Sequence, residues 1–147
     1  MDIAPATAAD APALARLCAA HAAYERLPHE ADGHADRLAR ALASGRLQAW
    51  LVRPDHGPEA VGYASATLDY ATLAGAPFVH LDCLYLTPQA RGQGLGRRLV
   101  ATVAAHARSL GCTQLQWQTP DWNTDAIRFY DRLGAGRLDK KRYALAV

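Results

Sequence analysis

A long apolar strand that runs into a glycine-and-arginine loop, and then into a helix, narrows most what this chain can become. Residues 77–86 read PFVHLDCLYL, Pro88 closes the run, and QARGQGLGRRLV follows at 89–100. Gly92, Gly94 and Gly96 alternate between Arg91 and Arg97. Glycine loses the most backbone freedom on ordering, so three together mark a backbone that something must approach closely. A strand, a loop and a helix N-terminus together form an anion site, because exposed N–H groups and the helix dipole both favour negative charge. A P-loop would end in Gly-Lys-Ser/Thr, and here Gly96 is followed by Arg97-Arg98. The GxGxG spacing, after four strands, also departs from the GxGxxG of dinucleotide folds.

The rest of the chain reads as one domain over residues 1–147, with half its residues apolar and a fifth charged. No apolar run approaches the roughly 20 residues of a membrane span. MDIAPATAAD at the start lacks the basic-then-apolar order of a secretory signal. Cys18, Cys83 and Cys112 are odd in number and widely spaced, which fits reduced thiols in a cytoplasm. No spacing among the histidines and cysteines matches a zinc site, so no metal is expected. Residues 1–82 carry six basic and ten acidic side chains, and residues 83–147 carry ten and four. That asymmetry reads either as scatter or as an anion site in the second half and a cation site in the first. The basic half carries no nucleic-acid motif, and its arginines gather at the loop, so no nucleic-acid partner is expected.

Residues 2–6 read as a first strand. Thr7 and Asp10 make a capping box that opens an Ala/Leu-rich helix, which Pro28 ends. A second helix covers 34–43. LQAWLVR (47–53) and EAVGYASATL (59–68) form a hairpin about PDHGP, and the 77–86 strand follows. A helix over 95–110, a strand over 112–119, a helix over 124–133 and a strand over 136–146 complete the order β α α β β β α β α β. The chain is α/β with a mixed, mostly antiparallel sheet flanked by helices.

LYLTPQARGQGLGRRLV resembles the acetyl-CoA signature of the GCN5-related N-acetyltransferases (GNAT), in Gln89, Arg91, Gly92, Gly94 and Gly96. WNTDAIRFYDRLGA (122–135) resembles the later motif of that family, and the element order is similar. The resemblance implies an acetyl-CoA-dependent N-acetyltransferase. The CoA pyrophosphate would lie on Arg91, Gly92, Gln93, Gly94, Leu95, Gly96 and Arg97, and the pantetheine arm along Leu84, Tyr85 and Leu86. Asn123 would contact CoA, a role compatible with a plain helix N-cap. Within the family the chain is most similar to the spermidine/spermine (diamine) acetyltransferases, which implies a small-molecule amine substrate and a homodimer. The Tyr24-Glu25 pair ends a first helix like theirs, and HLDCLYL is similar to their central strand, with Cys83 where a second acid would stand.

Acetyl transfer must deprotonate an amine of pKa about 10.4, polarise a thioester carbonyl and protonate a leaving thiolate. Tyr130, two helical turns after Asn123, is the candidate acid, with a core aromatic as its plainer role. Asp82, a carboxylate in an otherwise apolar strand, is the candidate that accepts the amine's proton or holds the ammonium, unless it faces solvent. His80 shares its side of the strand. Tyr24, Glu25 and Asp82, with Asp69 as a further carboxylate, would bind the amine, a polyamine, a diamine or a lysine-like amino acid. A protein or peptide amine, an aminoglycoside, and a CoA-binding module without catalysis stay open.

Overall fold

Five strands pair in the order in which the chain makes them. The computed structural model describes residues 1–147. β1 (Asp2–Pro5), β2 (Gln48–Arg53), β3 (Gly62–Ala71) and β4 (Ala76–Leu86) run antiparallel, and β5 (Leu115–Gln116) adds parallel to β4. The helices are α1 (Ala11–Glu25), α2 (His34–Ala43), α3 (Leu95–Ser109) and α4 (Thr124–Asp131), with 3₁₀ turns at Ala8–Asp10 and Pro88–Ala90. None is long and apolar enough to cross a membrane. The chain falls into two compact units, Met1–Trp117 and Gln118–Val147. The first holds the sheet with α1, α2 and α3; the second holds α4.

Strand alternation sorts the side chains of the first unit onto two faces. Trp50 and Val52 of β2, with Ala64 and Ala66 of β3, pack against Leu95, Leu99 and Val103 of α3. Ala49, Leu51 and Tyr63 point the other way, onto Leu14 and Leu17 of α1. Leu17, Leu51, Val52, Leu99 and Val103 are fully buried. Burial of side chains of this size is worth roughly 1.5–3 kcal/mol each, so the two layers on the sheet carry the fold. The capping box forms: the Asp10 carboxylate accepts from the Thr7 N–H (2.7 Å) and hydroxyl (2.9 Å). Arg53 also donates to Asp10 at 2.7 Å. The backbone hydrogen bond from Thr7, followed by its hydroxyl and Arg53, outweighs desolvation and holds the Asp10 carboxyl below its usual range.

Two expected strands come out differently. Of 112–119 only Leu115–Gln116 pairs, because β4 offers it partners at Val79 and His80 alone. The alternation of Leu115 and Trp117 is satisfied by packing on the α3 core. Residues 136–146 form no strand. A strand needs a neighbour to bond, and no strand pairs with this segment. Four of the six residues 137–142 are basic and one is acidic, and Leu138, Tyr143 and Leu145 stay exposed.

Gly62, at the start of β3, is a position of close approach. A Cβ there would press on the Leu86 side chain and lie 2.8 Å from the Tyr85 carbonyl oxygen. The neighbour at risk is backbone, which cannot rotate aside. Gly62→Ala is expected to destabilise the protein by about 1–3 kcal/mol, an overpacking cost, and to lower Tm by several degrees in calorimetry. A variant that melts with the wild type would contradict the close packing of β3 on the end of β4.

Candidate active site

One extra residue in β4 builds the site. β3 pairs Ser65 with Cys83 and then Ala66 with Leu81, so Asp82 is the inserted residue of a β-bulge. Residues two apart in a strand share a face, yet Leu81 packs on the α3 side while Cys83 and Tyr85 pack on the α1 side. The bulge reverses the faces. Leu84 and Leu86 turn to the α3 core, Cys83 moves under α1, and the Asp82 carboxylate enters a cavity with its side chain 57% exposed. β5 pairs with β4 only at Val79 and His80, so no strand bonds the β4 edge away from β3 between Leu81 and Leu86. That edge is the kind to which an extended amide-bearing arm can add as a strand would.

The cavity measures ≈270 Å³ and lies on the α1 side. Cys18, His21 and Glu25 of α1, Tyr63 of β3, and Asp82 and Cys83 of β4 line it. Their polar atoms form a connected set. His21 Nε2 is 3.3 Å from Glu25 Oε1, and His21 Nδ1 is 3.0 Å from the Tyr63 hydroxyl. The Cys83 thiol lies beside the Tyr63 phenol and donates to Asp82 Oδ2 at 3.6 Å. Burial raises the Tyr63 phenol well above its usual range, and the two thiols beside it add to the rise. Burial also pushes the Cys83 thiol up to about 12, with the Asp82 carboxylate as the next cause. Cys18 rises for the same first reason. His21 is lowered, because burial outweighs the pull of Glu25 towards the charged form. The groups that line the cavity between the two carboxylates are therefore neutral, a setting that receives a cation at its two ends.

The glycine loop leads into α3. Gly92 and Gly94 have φ of 76° and 75°, and a Cβ on either would meet nothing within 4 Å. Glycine is required here by the left-handed backbone, which costs other residues roughly 1–2 kcal/mol. The open space leaves the loop backbone approachable. Gly94 is the N-cap of α3 and has no side chain to bond the first-turn N–H groups. Leu95 and Gly96 are buried within the helix, so Leu95 offers an anion its backbone alone. Gln93 donates to the Gln89 carbonyl at 2.9 Å, and Arg97 is exposed. Arg91 turns back instead of outward. Its Nε donates to the Leu86 carbonyl at 3.0 Å, and its guanidinium lies 4.8 Å over the Tyr24 ring and 5.8 Å from Tyr85. Arg98 donates to the Met1 carbonyl at 3.2 Å.

Of the expected amine-binding residues, Glu25 and Asp82 meet at the cavity. Tyr24 lies beside it, under Arg91, with its ring 6.4 Å from Tyr85. His80 is 3.7 Å from Asp82 and does not line the cavity. Asp69 lies out along the hairpin, where it accepts from the Tyr70 N–H. In the second unit Asn123 is buried and caps α4, its Oδ1 accepting from the Ala126 N–H at 3.3 Å. Tyr130 is half-buried on the same helix, its ring 5.0 Å from Phe129. Sequence reasoning missed His21 and Tyr63. The spacing of His21 and Glu25, four apart on one helix, was the available signal; the depth of Tyr63 was not readable.

Comparison with known proteins follows the same lines. The model of the Acetyltransferase (GNAT) family matches residues 14–135. A thialysine N-epsilon-acetyltransferase of Bos taurus is 39% identical over 82 residues, 56% of this chain and 48% of that protein. The chain spans about half the length of the first curated relatives it matches. An aminoglycoside N(6')-acetyltransferase type 1 of Stenotrophomonas maltophilia is 34% identical over 113 residues, 75% of this chain and 69% of that one. Among solved structures, the aminoglycoside N-acetyltransferase AAC(6')-Iy in complex with CoA superposes with a TM-score of 0.84 at 21% identity, covering 99% of this chain and 93% of that chain.

Cys83 gives a direct check on the cavity. With its pKa raised, it is expected to react with iodoacetamide at pH 8 far more slowly than free cysteine, since the thiolate is the nucleophile. Asp82→Asn removes a carboxylate that raises the thiol, so labelling at Cys83, read by peptide mass spectrometry, is expected to speed up. Equal rates in the two proteins would mean that the carboxylate and the thiol do not interact.

Proposed function

The chain belongs to the GNAT acetyltransferase family, and on that premise we propose that it is an N-acetyltransferase acting on the primary amine of a lysine-sized small molecule. The observation that carries this reading is the ≈270 Å³ cavity beside the β4 bulge, with the Glu25 and Asp82 carboxylates in its wall. Its volume is just under the roughly 300–1,000 Å³ of pockets for drug-sized ligands. That favours a diamine or a lysine-like amino acid over a multi-ring aminoglycoside. Cys83, neutral where the diamine enzymes carry a second acid, leaves two carboxylates at the cavity and suits one or two ammonium groups better than a long polyamine. The thialysine enzymes among the relatives support the same class.

Acetyl-CoA, when bound, supplies the thioester whose carbonyl carbon the amine attacks. The loop from Arg91 to Arg97 fits its pyrophosphate: two left-handed glycines leave open space, and an uncapped helix N-terminus offers N–H groups. Leu84, Tyr85 and Leu86 present the strand edge to the pantetheine amides, and Asn123 contacts CoA. Asp82 and Glu25 draw in the ammonium. Tyr130 donates its phenolic proton to the departing sulfur. One domain spans the chain, and the family match across both units supports that. The protein acts in the cytoplasm as a homodimer; the exposed Tyr143, Leu145 and Val147, on a segment that forms no strand within one chain, support contact with a second copy.

The test is release of CoA thiol from acetyl-CoA with lysine, thialysine, putrescine, spermidine, an aminoglycoside and an N-terminal peptide. Turnover is expected to be fastest on thialysine, lysine or putrescine. Tyr130→Phe is expected to lower kcat by about 10²-fold or more, the usual worth of a general acid. Asp82→Asn is expected to raise the amine KM while leaving that for acetyl-CoA in place. Turnover on the aminoglycoside or peptide alone would overturn the substrate class. Tight acetyl-CoA binding with no turnover on any amine would make the protein a CoA-binding module.

A further inference from the structure

We propose that His29 and His34 hold a carboxylate of the substrate, so that the amine acetylated is the side-chain amine of a lysine-sized amino acid and not one end of a diamine. This deepens the functional reading and rests on it, since it takes the cavity as the amine site. The cavity wall has two chemically different parts. α1 and β4 contribute the Glu25 and Asp82 carboxylates; the α1–α2 loop and the start of α2 contribute two imidazoles, His29 and His34. Leu27, Leu38 and Leu47 line the cavity as well and offer a methylene chain an apolar surface. A guest that satisfies all of this wall carries an ammonium, an aliphatic chain and an anion.

The two rings meet edge to edge, their centroids 4.8 Å apart at 76°. His34 Nδ1 is buried and bonds nothing. An orphaned N–H is rarer in a protein interior than an under-used acceptor, which assigns the proton to Nε2. Nε2–H is then the donor that the ring keeps for a guest. The charges that act on His34 are His29 and Arg37, both positive in sign; those that act on His21, in the other part of the wall, are Glu25, Asp82 and Arg91. Arg37 is tied to the loop, donating to the Asp32 carbonyl at 2.8 Å. Glu30, Asp32 and Asp36 are the acids of this stretch, and all three are exposed. Glu30 spends Oε1 on the Asp32 N–H at 3.1 Å. The histidine pair therefore sits where an anion is favoured.

Histidine suits this task better than a permanent cation. An arginine or lysine in the same small cavity would be drawn to Glu25 or Asp82 and would compete with the substrate's ammonium. Burial lowers His34 first, and His29 and Arg37 lower it further. The ring is neutral at pH 7, gives one N–H to a carboxylate and leaves the two acids free for the amine. The other cation near the cavity is Arg91. It does not line the wall, its Nε is spent on the Leu86 carbonyl and its guanidinium lies over Tyr24. A diamine in this cavity would meet Glu25 and Asp82 but would leave the imidazole donor without an acceptor. A site built to hydrogen-bond one group of its substrate discriminates against the analogue that lacks it.

Cadaverine is lysine without its carboxylate, and lysinamide is lysine with that charge removed. The experiment measures kcat/KM on all three for wild type, His34→Leu, His34→Gln and His29→Ala, with melting curves for each. The readout is the ratio of lysine to cadaverine, since general damage to the cavity lowers both alike. Wild type is expected to favour lysine by about tenfold or more, and lysinamide is expected to fall with cadaverine. His34→Leu is expected to bring the ratio within about threefold of one, through a higher KM for lysine. His34→Gln, whose amide N–H can stand in for Nε2–H, is expected to keep part of the preference. His29→Ala is expected to lower it as well. A wild type that takes cadaverine as readily as lysine, or a ratio unmoved in His34→Leu, overturns the carboxylate site and leaves the acetyltransferase reading standing. If His34→Leu melts far below wild type, His29→Ala decides, and an unmoved ratio there overturns it. Turnover on none of the three amines overturns both readings.

Discussion

A single inserted residue, Asp82, determines what β4 can do. A regular strand from Val79 to Leu86 would hold Leu81, Cys83 and Tyr85 on one face, and the sheet would have a continuous apolar layer there. The bulge divides β4 instead. Before it, Val79 and Leu81 lie under α3; after it, Cys83 and Tyr85 lie under α1. One bulge thus anchors both helical layers. The Asp82 carboxylate stands in the wall of a cavity at the point where the strand changes face, where burial against apolar neighbours would cost several kcal/mol.

The polar chemistry of the first unit is organised around that turn. Between Glu25 and Asp82 lie His21, which contacts Glu25 and Tyr63, and Cys83, which sits beside Tyr63 and donates to Asp82. Burial keeps the three middle groups neutral, because a charged form away from water needs more compensation than its neighbours supply. A neutral chain closed by two anions suits one cationic guest. Arg91 borders the same space. It is a cation of the glycine loop, but it stacks on Tyr24 and binds the Leu86 carbonyl, tying the loop to α1 and to the end of β4. A cation–π contact of this kind is worth about 0.5–1 kcal/mol at an exposed site, enough to bias the side chain without fixing the loop.

Local signals carried much of the fold into the sequence. Ser44-Gly45 stops α2 after Ala43, as expected, and Gly111 follows the end of α3. The Thr7–Asp10 box and the Asn123 cap both form. These are interactions among residues a few positions apart, so a single chain read locally contains them. The parity of His80 and Asp82 also survives, as a 3.7 Å approach. Strands near the C-terminal end were misread because alternation reports a half-buried surface, not a partner. Leu115 and Trp117 alternate and are half-buried, yet only two residues there find a ladder.

Legible along the chain were the family signature, the glycine loop, the helices and the four antiparallel strands, because turn chemistry, capping and periodicity act over short spans. The tertiary structure alone decided the bulge at Asp82, the reversal of faces along β4 and the meeting of His21 with Tyr63 and Glu25. A bulge is a mismatch between two strands, and a strand's register depends on what lies opposite, as Ser65 and Ala66 do here. His21 became a site residue for the same reason. Its neighbours Tyr63 and Asp82 lie about 40 and 60 positions along the chain, and packing brought all three to one cavity.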